Sequence, residues 1–210
     1  MDMAGLRARH LISSLSSHAP APSSSHWTLA RLSGRLTEVS GMGASVRLTA
    51  AVALVLEAQR RGERAVWIGL ADSTFFPPDA ADAGVDLDAL AVVRLSDERA
   101  AARAADQLVR SGGFRLAVLD LDVRSGEARL PQPLLNRLMG LAQKHEAAVV
   151  LLTDKPATRP SLGSLVSLRA EAVREAAGDG WQVRVTVLKD KRSSPGPPHV
   201  QVCRGPHGLC

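Results

Sequence analysis

Short strand-like segments, most of them apolar throughout, alternate with longer helix-like segments, and this order constrains the fold more than any other feature. The strand-like segments occupy residues 35–39, 65–71, 91–95, 116–121 and 147–153. Segments with helical periodicity lie between them, the clearest at 46–61, 97–111 (with Ser96 as the expected N-cap) and 131–146. Strands apolar on both sides are typical of a parallel sheet buried between helices. The sequence therefore predicts an α/β fold with a parallel sheet covered by helices on both faces.

The order of elements changes after residue 160. Three further segments have the pattern of strands and are separated only by turn-rich stretches; they occupy residues 165–173, 181–189 and 199–204. The turns contain Gly178-Asp-Gly180 and Ser194-Pro-Gly-Pro-Pro198. Strands joined by short turns of this kind form hairpins. We expect antiparallel strands at the C-terminal edge of the sheet.

The N-terminal residues form a separate unit of the sequence. Leu6, Leu11 and Leu15 lie roughly on one face of a helix, and residues 18–26 have the Pro/Ser composition of a flexible linker. A short tethered helix cannot form a core alone, so it folds back on the domain, stays frayed or binds a partner. We therefore divide the chain into an arm and linker (1–26), a core domain (27–205) and a short tail (206–210).

The amino-acid composition limits the kinds of catalytic and binding site that the chain can form. The chain has no Tyr, three Trp and three Phe, which excludes a tyrosine acid or base and argues against an aromatic platform for single-stranded nucleic acid. The 26 basic and 21 acidic residues give a net charge of +5, which permits contact with DNA or acidic partners without requiring it.

The two cysteines and the hydropathy pattern suggest where the protein works. Cys203 and Cys210 have no further ligands at metal-binding spacing, so we expect reduced thiols and no metal. We see no apolar run of about 18 residues and no signal-peptide core, and we expect a cytoplasmic protein without membrane contact.

Residues 40–49 lie between the first strand and the first long helix, where a phosphate-binding loop belongs. The phosphate-loop motif is G-x-x-x-x-G-K-[ST]. Gly41 matches its first glycine, but Val46, Arg47 and Leu48 stand at the second glycine, the lysine and the hydroxyl residue. The motif is therefore degenerate.

Each replacement has a physical consequence for phosphate binding. Val46 places a branched side chain where backbone must approach phosphate, Arg47 is a wide fork in place of a compact ammonium, and Leu48 lacks the hydroxyl for Mg²⁺. Losing one charge-assisted contact costs roughly 1.5–3 kcal/mol. We therefore expect weak or absent ATP binding, no hydrolysis and no cofactor. The loop is then either a glycine turn before a helix or a residual anion site at Arg47.

Four stretches carry a resemblance to a known family. They are Gly34–Gly41, Gly84–Leu90, Phe114–Asp120, and the strand Val183–Lys191 with its two lysines followed by Pro195. From about residue 34 to 208 the chain resembles the core of the bacterial RecA recombinase family. The resemblance implies a RecA-like sheet in which Asp120 takes the position of the metal-facing Walker B aspartate.

The chain departs from the RecA pattern at several functional positions. Asp72 falls where the family has its catalytic glutamate, and the stretches 122–130 and 154–164 are shorter than the family's DNA-binding loops. The resemblance implies a degenerate nucleotide site made of Gly41, Gly43, Arg47, Thr49, Asp72 and Asp120. The sequence thus keeps the core and lacks much of what the family uses to bind ATP and DNA.

A compact RecA-like chain without an intact Walker A motif is similar to the ImuA family. That resemblance implies a non-catalytic accessory protein in the DNA damage response and translesion synthesis, with RecA or the Y-family-like protein ImuB as partner and weak or indirect DNA contact. Candidate partner-binding residues are Lys189, Lys191, Leu6, Leu11 and Leu15, and candidate phosphate contacts are Arg124, Arg129 and Arg137.

Two other function classes remain open from the sequence. One is a P-loop ATPase that tolerates Arg47 in place of lysine. The other is a cell-division inhibitor similar to SulA, although the Lys189–Lys191 strand does not favour it.

Overall fold

A computed structural model describes residues 27–42, 44–73, 75–121, 130–178 and 180–203. The N-terminal arm, with Leu6, Leu11 and Leu15, lies outside these ranges, as do Gly43, Arg124, Arg129 and the tail.

The described residues form five helices and eight strands. In chain order they are α1 (Leu29–Leu32), β1 (Arg35–Ser40), α2 (Ala44–Arg60), β2 (Ala65–Leu70), α3 (Pro77–Asp82), β3 (Leu90–Leu95), α4 (Glu98–Arg110), β4 (Leu116–Asp120), α5 (Gln132–His145), β5 (Ala148–Thr153), β6 (Leu168–Ala177), β7 (Gly180–Asp190) and β8 (His199–Cys203). The short helices α1 and α3 were not predicted.

All eight strands belong to one sheet with the order β3-β2-β4-β5-β1-β6-β7-β8. The first six strands in this order pair in parallel, and β7 and β8 pair antiparallel at the C-terminal edge. This arrangement confirms the predicted fold class. Because β1 lies between β5 and β6, the first strand of the described residues is inside the sheet and not at an edge.

Two apolar layers cover the sheet. On one face α2 packs with α1 over a cluster that includes Trp27, Leu54 and Trp67, and the Trp67 ring stacks on Phe75 with centroids 4.4 Å apart. On the other face α4 and α5 cover Leu36, Ile68, Leu119 and Leu151, among others. The apolar runs in the sequence reflect burial on both faces of these strands.

Two helix starts differ from the sequence-based expectation. Helix α2 begins at Ala44, two residues before the predicted start, so it takes up part of the glycine loop. The N-cap of α4 is Asp97 and not Ser96, because the Asp97 carboxylate accepts a 2.8 Å hydrogen bond from the Ala100 N–H. None of the helices in the described ranges has the length and apolar content needed to cross a bilayer.

Candidate functional site

The carboxyl ends of the parallel strands bring the predicted site residues to one edge of the sheet. Gly41 follows β1, Asp72 lies two residues after β2, and Asp120 is the last residue of β4. Thr153 ends β5 next to β1. Loops at this edge carry the ligand sites of open α/β sheets, so it is the candidate site.

Arg47, which follows the glycine loop, is almost completely buried, with 1% of its surface exposed. It lies in the first turn of α2, and its Nη1 donates to the Gly41 carbonyl at 2.5 Å and to the Thr153 carbonyl at 3.3 Å. The same nitrogen lies 2.8 Å from Asp154 Oδ1. The Asp154 carboxylate therefore neutralises this guanidinium, and the two backbone carbonyls accept its hydrogen bonds.

Gly41 is required by the close approach of β6, the parallel neighbour of β1. A Cβ at this position would overlap the Ala172 carbonyl oxygen of β6 and lie 3.5 Å from Arg47 Cγ. β6 can approach the loop this closely only because Gly41 has no side chain. The first glycine of the degenerate motif thus has a structural role that involves no phosphate.

The other predicted nucleotide-site residues differ in exposure. Asp120 is 1% exposed and lies in register with Gly69 of β2 and Leu152 of β5. Thr49 is partly buried on α2, whereas Asp72 is exposed in the turn after β2. Asp72 and Asp120 lie at the same sheet edge as Arg47, and of these three side chains Arg47 and Asp120 are buried.

A buried carboxylate on β1, Glu38, is a prominent feature that the sequence analysis missed. Glu38 is fully buried and accepts hydrogen bonds from Thr153 Oγ1 at 3.0 Å, Ser161 Oγ at 2.9 Å and the Leu162 N–H at 2.9 Å. Lys155 Nζ lies 2.6 Å from it. A charged residue in the middle of a strand buried on both faces was a readable signal, because such a charge needs partners.

These contacts fix the residues that join β5 to β6, which we call the 154–167 segment. Lys155 Nζ also donates to the Pro160 carbonyl at 2.7 Å, and the Ala157 N–H donates to Glu171 Oε1 at 3.1 Å. Arg169 donates to carbonyl oxygens of Arg159 and Pro156. The segment stands where the resemblance predicted a shortened DNA-binding loop, and it is tied down along its length.

The two predicted partner-binding lysines lie at the end of β7. Lys189 is exposed and in register with Arg169 of β6, next to an irregularity that leaves Leu188 without a register partner. Lys191 follows the strand, and its Nζ donates to the Ser164 carbonyl. One lysine is thus presented to solvent, and the other braces the 154–167 segment.

Asp190, between these lysines, joins the end of β7 to α1 and β1. Its carboxylate receives hydrogen bonds from Arg35, 2% exposed, and from Arg31 of α1 at 3.2 Å. Burial alone would raise its pKa, but hydrogen bonds from Arg35, the Arg192 N–H and Ser193 more than offset this and hold the pKa well below its usual range. The carboxylate therefore stays ionised and keeps Lys189 and Lys191 in place.

Arg137, the one described residue among the three candidate phosphate contacts, is engaged in an ion pair. Its Nε and Nη2 lie 3.2 Å and 3.1 Å from the two Asp106 oxygens, and Arg110 Nη2 lies 2.7 Å from Asp106 Oδ2. The contact joins α5 to α4 on the face of the sheet opposite α2. Arg137 is therefore separate from the Arg47 loop.

Comparison with known proteins gives a consistent match. Residues 12–152 match the model of the RecA N-terminal domain. The chain is 28% identical over 197 residues to the RecA proteins of Aquifex pyrophilus and Aquifex aeolicus, an alignment that covers 77% of this chain and 56% and 57% of those proteins. RecA of Lactobacillus acidophilus is 28% identical over 198 residues, covering 77% and 54%. The chain spans about half the length of the curated relatives it matches.

Proposed function

Because the chain belongs to the RecA N-terminal domain family, we propose that it is a non-catalytic, RecA-like accessory protein that acts through protein contacts. Its place is the cytoplasmic response to DNA damage, in translesion synthesis, as for the ImuA family that the sequence resembles. Its partner is RecA, whose recombination or filament growth it limits, or the Y-family-like protein ImuB, or both.

The observation that carries the proposal is the internal neutralisation of Arg47. In a phosphate loop the cation and the backbone around it attract an anion. Here Asp154 and the carbonyls of Gly41 and Thr153 take that place. A triphosphate would have to displace a carboxylate and strip a buried guanidinium of its acceptors, which costs several kcal/mol before any binding energy is gained.

The fixed 154–167 segment supports a role in protein contact over a role in DNA handling. Glu38, Lys155 and Arg169 hold it through buried polar contacts. Rearranging it on a nucleic acid would break these contacts and leave Glu38 uncompensated. Any DNA contact in this proposal is weak or mediated by a partner.

Equilibrium binding of a fluorescent ATP analogue with Mg²⁺, together with phosphate release, tests the non-catalytic assignment. We expect no saturable binding at micromolar concentrations and no turnover. The variant V46G/R47K/L48T rebuilds the motif and is the matched comparison; nucleotide binding gained by it shows that the assay can detect a working loop. Micromolar binding with turnover by the unaltered chain would favour the ATPase alternative.

A strand-exchange assay with RecA tests the partner. We expect the chain to slow strand exchange at equimolar amounts and the variant K189A/K191A to slow it less, because Lys189 is exposed at the end of β7. K144A, which removes an exposed lysine from the last turn of α5, is the control. If the chain leaves strand exchange unchanged but binds ImuB, ImuB is the partner. If it neither slows strand exchange nor binds ImuB, the proposal is contradicted.

A further inference from the structure

A groove runs between α4 and the N-terminal half of α5, on the face of the sheet opposite α2. Its volume is about 390 Å³. Arg99 and Arg103 of α4 lie on one side, and Pro133, Leu134 and Arg137 of α5 on the other. None of the described residues of the degenerate nucleotide site lines this groove.

The charge of the groove is positive after its internal pairs are counted. Among the lining residues that the structure describes, three arginines face one acid, Asp106, which leaves two positive charges. Asp106 is 6% exposed and already binds Arg110 and Arg137. Arg99 and Arg103 are exposed on α4, and the exposed N-cap carboxylate of Asp97 interacts electrostatically with Arg103 without lining the groove. The guanidinium groups of Arg99 and Arg103 are therefore the ones presented to a ligand.

The shape and the walls indicate the kind of ligand. Arg99 and Arg103 are four residues apart on one helix, which places their Cβ atoms about 6 Å apart. In an extended peptide, side chains on alternate residues point the same way and are separated by about 6.6 Å. Pro131 and Leu134 add a partly exposed apolar wall. The described lining includes no aromatic ring on which a nucleobase could stack.

We propose that this groove binds an extended acidic peptide segment of a partner protein. Two carboxylates on alternate residues pair with Arg99 and Arg103, and an apolar side chain two residues further on packs against Leu134. Guanidinium groups suit this role because their fork binds carboxylates bidentately. The pair Asp106–Arg137 fixes the distance between the helices and so keeps the groove open without consuming the two α4 arginines.

Titration of the ¹⁵N-labelled full chain with the peptide acetyl-Ser-Glu-Ser-Glu-Ser-Leu-Ser-amide, followed by NMR, tests the proposal. We expect saturable shifts at the amides of residues 99, 103 and 134, and at least tenfold weaker binding for the same peptide with both Glu replaced by Gln. The variant R99E/R103E should also bind at least tenfold more weakly. The control R60E/R64E makes the same charge change at two exposed arginines outside the groove and should bind as the unaltered chain does.

Three results would overturn the proposal. If the Gln peptide binds as tightly as the Glu peptide, the groove does not recognise the carboxylates. If R99E/R103E and R60E/R64E lose the same affinity for the Glu peptide, only the net charge of the chain matters. Binding of a thymidine 15-mer that is lost in R99E/R103E, without peptide binding, would make the groove a nucleic-acid site. The amide spectrum of each variant reports whether it is folded.

Discussion

Arg47 Nη1 and Asp154 Oδ1 are 2.8 Å apart, and this ion pair joins the first turn of α2 to the end of β5. The two ends differ in environment: Arg47 is 1% exposed, whereas the Asp154 side chain is 40% exposed. The cation therefore depends on its protein partners far more than the carboxylate does. We therefore expect substitutions of Arg47 and of Asp154 to lower the free energy of unfolding by different amounts.

We predict that R47A lowers the free energy of unfolding by about 2–4 kcal/mol, because it leaves buried carbonyl oxygens without a donor and opens a void. D154N should lower it by less, about 1–2 kcal/mol: Arg47 stays buried without its counter-charge, but the asparagine oxygen, the two backbone carbonyls and water at the half-exposed position 154 still solvate the guanidinium. Urea denaturation at pH 7 measures both. Equal losses in the two variants would contradict the asymmetry.

The Glu38–Lys155 pair predicts strong non-additivity. E38Q should lower the free energy of unfolding by about 3–5 kcal/mol, since Lys155, 9% exposed, loses its counter-charge. K155M should cost a similar amount by leaving Glu38 unpaired. The double variant E38Q/K155M should lose clearly less than the sum, which a double-mutant cycle from urea titrations would measure. Additive losses would mean that the two side chains do not act as a pair.

Asp190 predicts a loss of stability in acid. Its pKa in the folded chain lies well below the value near 3.9 of an unfolded aspartate. A carboxyl whose pKa is lower in the folded state than in the unfolded state stabilises the fold fully at a pH above its unfolded pKa. That contribution to the free energy of unfolding is lost as the pH falls from about 5 towards the folded pKa.

D190N should lower stability at pH 7 by about 3 kcal/mol, because Arg35 stays buried without a counter-charge. Its stability should also fall less between pH 5 and pH 3 than that of the unaltered chain, as guanidinium denaturation at several pH values would show. Parallel pH curves for the two proteins would contradict the role of Asp190.

Gly41 and Gly140 form a matched pair for a steric prediction. G41A should lower the free energy of unfolding by about 1–3 kcal/mol, because the added methyl overlaps the Ala172 carbonyl. G140A adds the same methyl to α5, where nothing lies within 4 Å, and should raise stability by about 0.5–1 kcal/mol. Thermal denaturation of both variants gives the comparison. A neutral G41A would mean that β6 yields at this point.

The sequence predicted the elements well where periodicity controls them and poorly where long-range polar contacts do. The β5 segment is apolar throughout because both of its faces are buried, so it was readable. The change from parallel to antiparallel strands was readable from the turns before and after β7. The pairing of Glu38 with Lys155, and of Asp190 with Arg35, joins residues more than 100 positions apart, and no local pattern indicates which acid meets which base. Only the presence of a charge in a buried strand pointed to such a partner.

The central position of β1 has a consequence for synthesis of the chain. Residues 35–40 are made before their neighbours in the sheet, which are residues 148–153 and 168–171. During translation this strand has both edges unsatisfied until more than a hundred further residues have been added, so closure of the sheet is a late event with high contact order. A nascent chain halted near residue 145 would therefore present an open strand that is vulnerable to aggregation and suited to capture by a chaperone.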